Sequence, residues 1–133
     1  MKRSEESDLI DSLSRFVQKL NSEKGALVVV EGLRDARALR SSGFSGDLFM
    51  LCHRPKGVSL EDQCSKFEKL VFLLDNDAEG RRLVERTKKL LSGKASIDMY
   101  YQRALLPAAK GRIRHVEELS QYAERVSLAV ARI

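Results

Sequence analysis

Two apolar runs that stop at a carboxylate constrain this chain more than anything else in it. The first is Ala26-Leu27-Val28-Val29-Val30, which ends at Glu31-Gly32 with Asp35 close behind. The second is Leu70-Val71-Phe72-Leu73-Leu74, which ends at Asp75-Asn76-Asp77-Ala78-Glu79-Gly80. Short runs with no polar alternation read as strands covered on both faces, as in a parallel sheet between helices. In such sheets ligands bind beyond the carboxyl ends of the strands. If these two strands are neighbours, Glu31, Asp75 and Asp77 converge on one place. Two carboxylates about 4 Å apart repel by roughly 4 kcal/mol at an effective dielectric near 20. Three together favour a cation, and hard oxygen ligands suit Mg2+ or Mn2+.

The remaining pattern fits the same architecture. Leu9, Ile10, Leu13, Phe16, Val17 and Leu20 recur at helical spacing and predict a helix over 8–20, capped by Ser7 or Asp8. Strands are expected over 26–31, 47–52, 69–75 and 95–101. Helices are expected over about 35–41, over 59–68 behind Ser59, and over 78–92 up to Gly93. Residues 102–114 read as a basic connector around Pro107 and Gly111, and a last helix begins near Val116. Strands alternating with helices predict an α/β, Rossmann-like fold: a mostly parallel sheet of about four strands with helices on both faces. A chain of 133 residues is one domain, residues 1–133. Its core is expected over about 25–103. The helix 8–20 and residues 104–133, the end of the basic connector and the C-terminal helix, decorate it.

Hydrophobic residues make up 43% of the chain and charged residues 32%, a globular balance. The net charge of +5 suits a polyanionic partner, RNA or DNA, better than a cationic one. No apolar run is long enough to span a membrane, and no signal core follows the basic start. Cys52 and Cys64 read as buried free thiols in a reducing cytoplasm. Two cysteines and two histidines at these spacings do not make a zinc site. Gly93-Lys94-Ala95-Ser96 lacks the features of a P-loop, and no Gly-x-Gly-x-x-Gly occurs.

While the backbone stays extended, Asp75, Asp77 and Glu79 share one face. Gly80 then lets the chain turn close against them, and Gly32 permits an unusual backbone angle or a ligand's close approach. Asn76 or Asp77 could instead cap the following helix. Asp75 is harder to explain that way: it ends an apolar run at a strand mouth, partly desolvated, and Glu31 does the same after Val28-Val29-Val30.

The ordered pair Glu31-Gly32-x-x-Asp35 and Asp75-x-Asp77-x-x-Gly80 resembles the Toprim domain. That family includes the catalytic domains of bacterial-type primases, topoisomerases of two types, OLD-family nucleases and a ribosomal-RNA maturation nuclease. The resemblance covers about residues 25–103 and is strongest to small stand-alone Toprim proteins. It implies Glu31 as a general acid or base, and Asp75 with Asp77 as the metal pair. Glu31 and Glu79 complete the metal set, Gly32 and Gly80 are the backbone glycines, and Asp35 is the supporting acid. A magnesium-dependent, nuclease-like activity on phosphodiesters follows as an expectation. A Glu crowded by acids should hold its proton more tightly than usual, which suits proton transfer near neutral pH. Topoisomerases need a tyrosine nucleophile, but Tyr100, Tyr101 and Tyr122 read as core packing. The zinc module and further basic domain of primases are missing.

Arg34, Arg37, Arg81 and Arg82 flank the acidic motifs, and His53, Arg54 and Lys56 leave the second strand at the same sheet edge. Of these, Arg34, Arg81, Arg54 and Lys56 are candidates to hold phosphate. Arg103, Lys110, Arg112 and Arg114 form a second candidate strip. His53 reads as an ordinary loop histidine, and His115 as a surface or capping residue. A non-catalytic nucleic-acid-binding or assembly module of a larger processing complex is the alternative. A response-regulator-like phosphoacceptor fits less well, because it expects an acidic pair at the first strand and one Asp at the third.

Overall fold

Every residue of Ala26–Val30 is buried, as is Leu70–Leu73 of the second apolar run. Side chains alternate across a strand, so a strand with both faces covered must serve two cores. Val28, Val30, Val71 and Leu73 enter one core, while Leu27, Val29, Leu70 and Phe72 enter the other. The computed structural model of the chain describes residues 3–52 and 57–132. In chain order these form α1 (Arg3–Asn21), β1 (Ala26–Val30), α2 (Leu33–Ser41), β2 (Asp47–Met50), α3 (Leu60–Gln63) and β3 (Lys69–Leu73). There follow α4 (Ala78–Leu90), β4 (Ser96–Asp98), α5 (Tyr100–Ala108), a 3-10 helix (Val116–Gln121) and α6 (Ala123–Ala131).

The four strands form one all-parallel sheet in the order β2-β1-β3-β4. Val30 lies beside both Met50 and Leu73, so β1, β2 and β3 end level. The first core joins the sheet to α1, α2, α5, α6 and the 3-10 helix, through Leu13, Val17, Leu39, Leu105, Leu119 and Val126. The second joins it to α3 and α4 through Leu60 and Val84. The chain leaves β1 towards one side through α2, on one face. It leaves β3 towards the other side through α4, on the opposite face. The gap between the ends of β1 and β3 is therefore the topological switch point, where open α/β sheets form their ligand crevice. The expected Rossmann-like α/β sheet with helices on both faces is the observed one.

The amino end of the sheet is closed by a compact polar group. Lys69 Nζ lies 2.9 Å from Glu23 Oε1 and 3.2 Å from Asp98 Oδ2. The Tyr101 hydroxyl donates to Glu23 Oε2 at 2.6 Å. Tyr101 is 1% exposed, so its oxygen needs that partner. The Glu23 carboxyl is held below its ordinary range, first by the Tyr101 hydrogen bond and then by Lys69.

Several local expectations change. Helix α1 starts at Arg3, which places Ser7 and Asp8 inside it rather than at its cap. The fourth strand stops at Asp98, whose Oδ1 accepts the Tyr100 N–H at 2.8 Å and turns the chain. The aromatic pair Tyr100-Tyr101, read as strand, opens α5, and much of the supposed connector is helical. Tyr101 packs in the core as expected, but Tyr100 is 51% exposed. The third helix covers only Leu60–Gln63 behind the Ser59 cap, because Leu60 is its one buried residue. Cys52 is exposed and Cys64 half-buried, not both buried. Gly32 has φ −149°, ordinary extended backbone, so no unusual angle is needed there.

Gly80 is obligatory for a different reason. A Cβ there would lie 1.8 Å from the carbonyl oxygen of Asp75 and 2.7 Å from its carbonyl carbon. The first turn of α4 rests directly on the backbone that leaves β3. We expect Gly80→Ala to cost about 3 kcal/mol in urea unfolding. Gly93→Ala, where φ is +75° with no atom within 4 Å, should cost about 1–2 kcal/mol. Equal losses would contradict the close contact at Gly80.

Tyr101→Phe should lower stability by about 2 kcal/mol at pH 7, the worth of a hydrogen bond to a charged group. Glu23 has a folded-state pKa below its unfolded value, so its contribution is complete above the unfolded value and fades as pH falls through the folded one. The difference between wild type and Tyr101→Phe should therefore shrink in urea titrations taken from pH 6 to pH 3. A constant difference would mean that Tyr101 acts by packing alone.

Candidate metal centre

Strand β1 delivers Glu31 to the switch point and β3 delivers Asp75. The main-chain ladder with the β2 side runs on past β1, since Cys52 N–H donates to Glu31 C=O at 2.8 Å. On the β3 side, the Leu74 N–H is taken at 2.9 Å by the Gln102 side chain from α5. That releases Asp75 from the sheet and turns the chain into α4. Asp77 caps α4: its Oδ1 accepts the Gly80 N–H at 2.7 Å. The cap role of Asp77 leaves room for a site role, because a carboxylate can accept several hydrogen bonds or metal bonds at once. The chain is not extended beyond Asp77, so Glu79 lies in the first turn of α4 rather than on a shared strand face.

Helix α2 begins at Gly32 on the other side of the crevice. Asp35 is 8% exposed, and its Oδ2 accepts the Gly32 N–H at 3.2 Å. The same carboxylate takes the backbone N–H of Glu117 in the 3-10 helix. It is a brace between two elements. Burial and Asp75 push the Asp35 carboxyl above its usual range, while the Gly32 and Glu117 N–H groups oppose the shift. Glu31 is also raised, first by burial, then by Asp75, Asp35, Glu79 and Asp77. Both shifts mark a place where negative charge accumulates faster than the protein neutralises it.

The brace brings in a residue that sequence patterning did not select. His115 immediately precedes the 3-10 helix, and its Nδ1 lies 3.2 Å from Asp75 Oδ1. One ligand atom each from Asp75, Asp77 and His115 lie within 4.8 Å of one another. His115 caps the 3-10 helix, as one expectation had it, and is also part of the acidic site. Glu31 and Glu79 stand outside this tight group, although both act on the same electrostatic centre. No helical or strand periodicity marks His115. The only sequence signal was a histidine just before a helix start.

The Nδ1 of His115 is buried and has no hydrogen-bond partner, despite the nearness of Asp75. A buried, orphaned ring nitrogen beside two carboxylates fits a divalent ion, which all three groups could hold. The basic candidates are peripheral. Arg34 is 88% exposed at its side chain and 4.0 Å from Glu117. Arg81 donates to the Asn76 carbonyl at 3.2 Å. Arg37 joins Arg34 along the groove between α2 and the 3-10 helix, while Arg82 and Arg86 extend the basic side of α4. His53, Arg54 and Lys56 lie outside the described residues.

Because the folded pKa of Glu31 is raised, its charged form weakens the fold at pH 7; the penalty shrinks as pH falls through the folded pKa and is gone below the unfolded one. Glu31→Gln should raise the urea midpoint of the metal-free protein at pH 7, a gain of up to about 1 kcal/mol for a half-exposed group. The gain should vanish near pH 4. Destabilisation at pH 7 would show that Glu31 is satisfied in the fold.

The comparisons with known proteins agree with this geometry. Residues 26–117 match the Toprim domain, a span that ends just past His115. A UPF0292 protein of Archaeoglobus fulgidus is 32% identical over 110 residues, covering 82% of this chain and 86% of that protein. A UPF0292 protein of Thermococcus gammatolerans is 34% identical over 105 residues, covering 78% and 77%. A solved structure of a protein from Aquifex aeolicus matches with a TM-score of 0.64 at 30% identity, over 80% of this chain and 96% of that one. The two acidic motifs, their strands and these matches place the chain in one family: it belongs to the Toprim-domain proteins.

Proposed function

We propose that this protein is a divalent-metal-dependent nuclease acting on phosphodiester bonds of RNA or DNA. The Toprim domain is a metal-binding, nucleic-acid-acting fold, and an acidic cluster stands at the expected place. No described helix is long and apolar enough to cross a membrane. One observation carries the reading furthest. Asp75, Asp77 and His115 present ligand atoms within 4.8 Å at the mouth of β3, with Glu31 at the neighbouring strand end.

Bound there, Mg2+ or Mn2+ would polarise the phosphate and stabilise the attacking and leaving oxygens. Asp75 and Asp77 would hold the ion, and Glu79, in the first turn of α4, would add negative charge to the same crevice. Glu31 exchanges the proton with the attacking water or the leaving oxygen, a task suited to a carboxyl whose pKa burial and Asp75 have raised. The N-termini of α2 and α4 both open onto the crevice, and their free N–H groups favour a phosphate. Arg34 and Arg81 stand beside those two helix starts and would hold flanking phosphates, fixing position without reading sequence. A Cβ at Gly32 would meet no protein atom within 4 Å, so the space a phosphate backbone would use is open.

The test is cleavage of labelled structured RNA, single-stranded RNA and DNA with Mg2+ or Mn2+. Wild type should cut at least one of these. Glu31→Gln should lose about 10²–10⁴-fold, the usual worth of a general acid or base. Asp75→Asn should lose both cleavage and the rise in melting temperature that metal gives to wild type. Binding of nucleic acid without cleavage, by wild type with metal present, would instead favour the assembly-module reading.

A further inference from the structure

We infer that His115 ligates the metal through Nδ1, and that this nitrogen makes the site prefer a first-row transition ion over magnesium. The inference rests on the metal-site reading above and adds a ligand and an ion class to it.

The spacing is that of neighbouring ligands. Nδ1 of His115 and Oδ1 of Asp75 are 3.2 Å apart. Two atoms each about 2.1 Å from one ion, and at right angles to each other, lie about 3 Å apart. The nitrogen is buried and makes no hydrogen bond, and its one close charged neighbour is Asp75. Leaving such a group unsatisfied costs about 1–3 kcal/mol, which an ion held between it and Asp75 would remove.

The backbone fixes the ring's attachment. Glu118 Oε1 accepts the His115 N–H at 3.0 Å and the Arg114 N–H at 3.2 Å. Asp35 holds the Glu117 N–H from the α2 side. Ile113, Val116 and Leu119 are at most 2% exposed, so the segment on both sides of His115 is anchored in the core. A histidine that merely covered the surface would not need this support on both sides.

The donor set then decides the ion. Magnesium takes oxygen ligands and gives up its waters reluctantly. Imidazole suits the later divalent metals, and affinity at a mixed nitrogen and oxygen site rises from manganese to cobalt. Two carboxylates alone would discriminate little between Mg2+ and Mn2+. Two carboxylates with an imidazole discriminate in favour of the transition series.

Calorimetric titration of the purified protein with Mg2+, Mn2+ and Co2+ tests this, with wild type, His115→Gln and Asp75→Asn in parallel. Wild type should bind Co2+ about tenfold or more tighter than Mg2+, with Mn2+ between them, and His115→Gln should erase most of that advantage while leaving Mg2+ affinity nearly unchanged. A Co2+ to Mg2+ ratio near one in wild type, or one that His115→Gln does not change, overturns the inference. A second readout is taken on the wild-type protein, with the variant used only to assign the signal. The chain has two histidines. Diamagnetic Zn2+ should shift the Nδ1 nitrogen resonance of one of them in wild type, and that signal should be missing from His115→Gln. No shift at either histidine would mean that His115 only pairs with Asp75. If Asp75→Asn abolishes binding and His115→Gln has no effect, the metal site stands and this inference alone falls. If wild type binds none of the ions, or Asp75→Asn binds them as wild type does, the metal-site reading falls and takes this inference with it.

Discussion

The parallel pairing of β1 with β3 is the constraint on which the rest depends. With Val30 beside Leu73, Glu31 and Asp75 leave neighbouring strands at one level. Nothing in the hydrophobic effect asks for that arrangement. It follows from aligning two apolar runs whose carboxylates both come at the end. The rest of the crevice can be understood as partial compensation. Asp77 is satisfied by the Gly80 N–H, and Asp35 by Gly32 and Glu117. Helices α2 and α4 both start here, and their positive ends offset some of the charge. Glu31 remains raised because these devices do not reach it fully.

The opposite end of the same sheet is built differently. There Lys69 meets Glu23 and Asp98, and Tyr101 completes the set. Each charged group there has a partner at short distance, so that end is satisfied within the protein. One sheet therefore carries an end whose carboxylates are paired and an end whose carboxylates crowd one another. That asymmetry separates a structural polar cluster from a candidate functional one more clearly than any pKa direction alone. It also explains why Lys69 and the groove beside it, though concave, are not where chemistry is expected.

Much of this was legible in the sequence, for a physical reason in each case. An all-apolar run such as Leu70–Leu74 has few alternatives to a strand covered on both faces, and a carboxylate ending it has few alternatives to the crevice. Gly80 could be seen to allow a close turn, although the atom it approaches, the Asp75 carbonyl, could not be named. What failed was set by one local turn and by contacts distant in the chain. Tyr100-Tyr101 has strand propensity, yet Asp98 turns the backbone and Tyr101 is wanted in a core with Phe16. His115 lies far beyond Asp75 in sequence and carries no periodic signal. Only the packing of the 3-10 helix against α2, through the buried Asp35, brings it to the site.

Asp35 also changes the status of the C-terminal segment. Read alone, residues 104–133 look like a decoration on a complete sheet. In the fold, Ile113, Val116, Leu119 and Val126 are almost wholly buried in the core shared with α1 and α2. Without that segment Asp35 would keep Gly32 but lose Glu117, and a carboxyl already raised by burial would lose one of its two compensating N–H groups. The sheet could still present Glu31 and Asp75, but the nitrogen beside them would be absent and α2 would expose its apolar side. The segment is thus coupled to the site twice, once through the core it fills and once through the brace it receives. A residue supplied from outside the strand-ending motifs can therefore be as firmly placed as one within them, because Asp35 belongs to both.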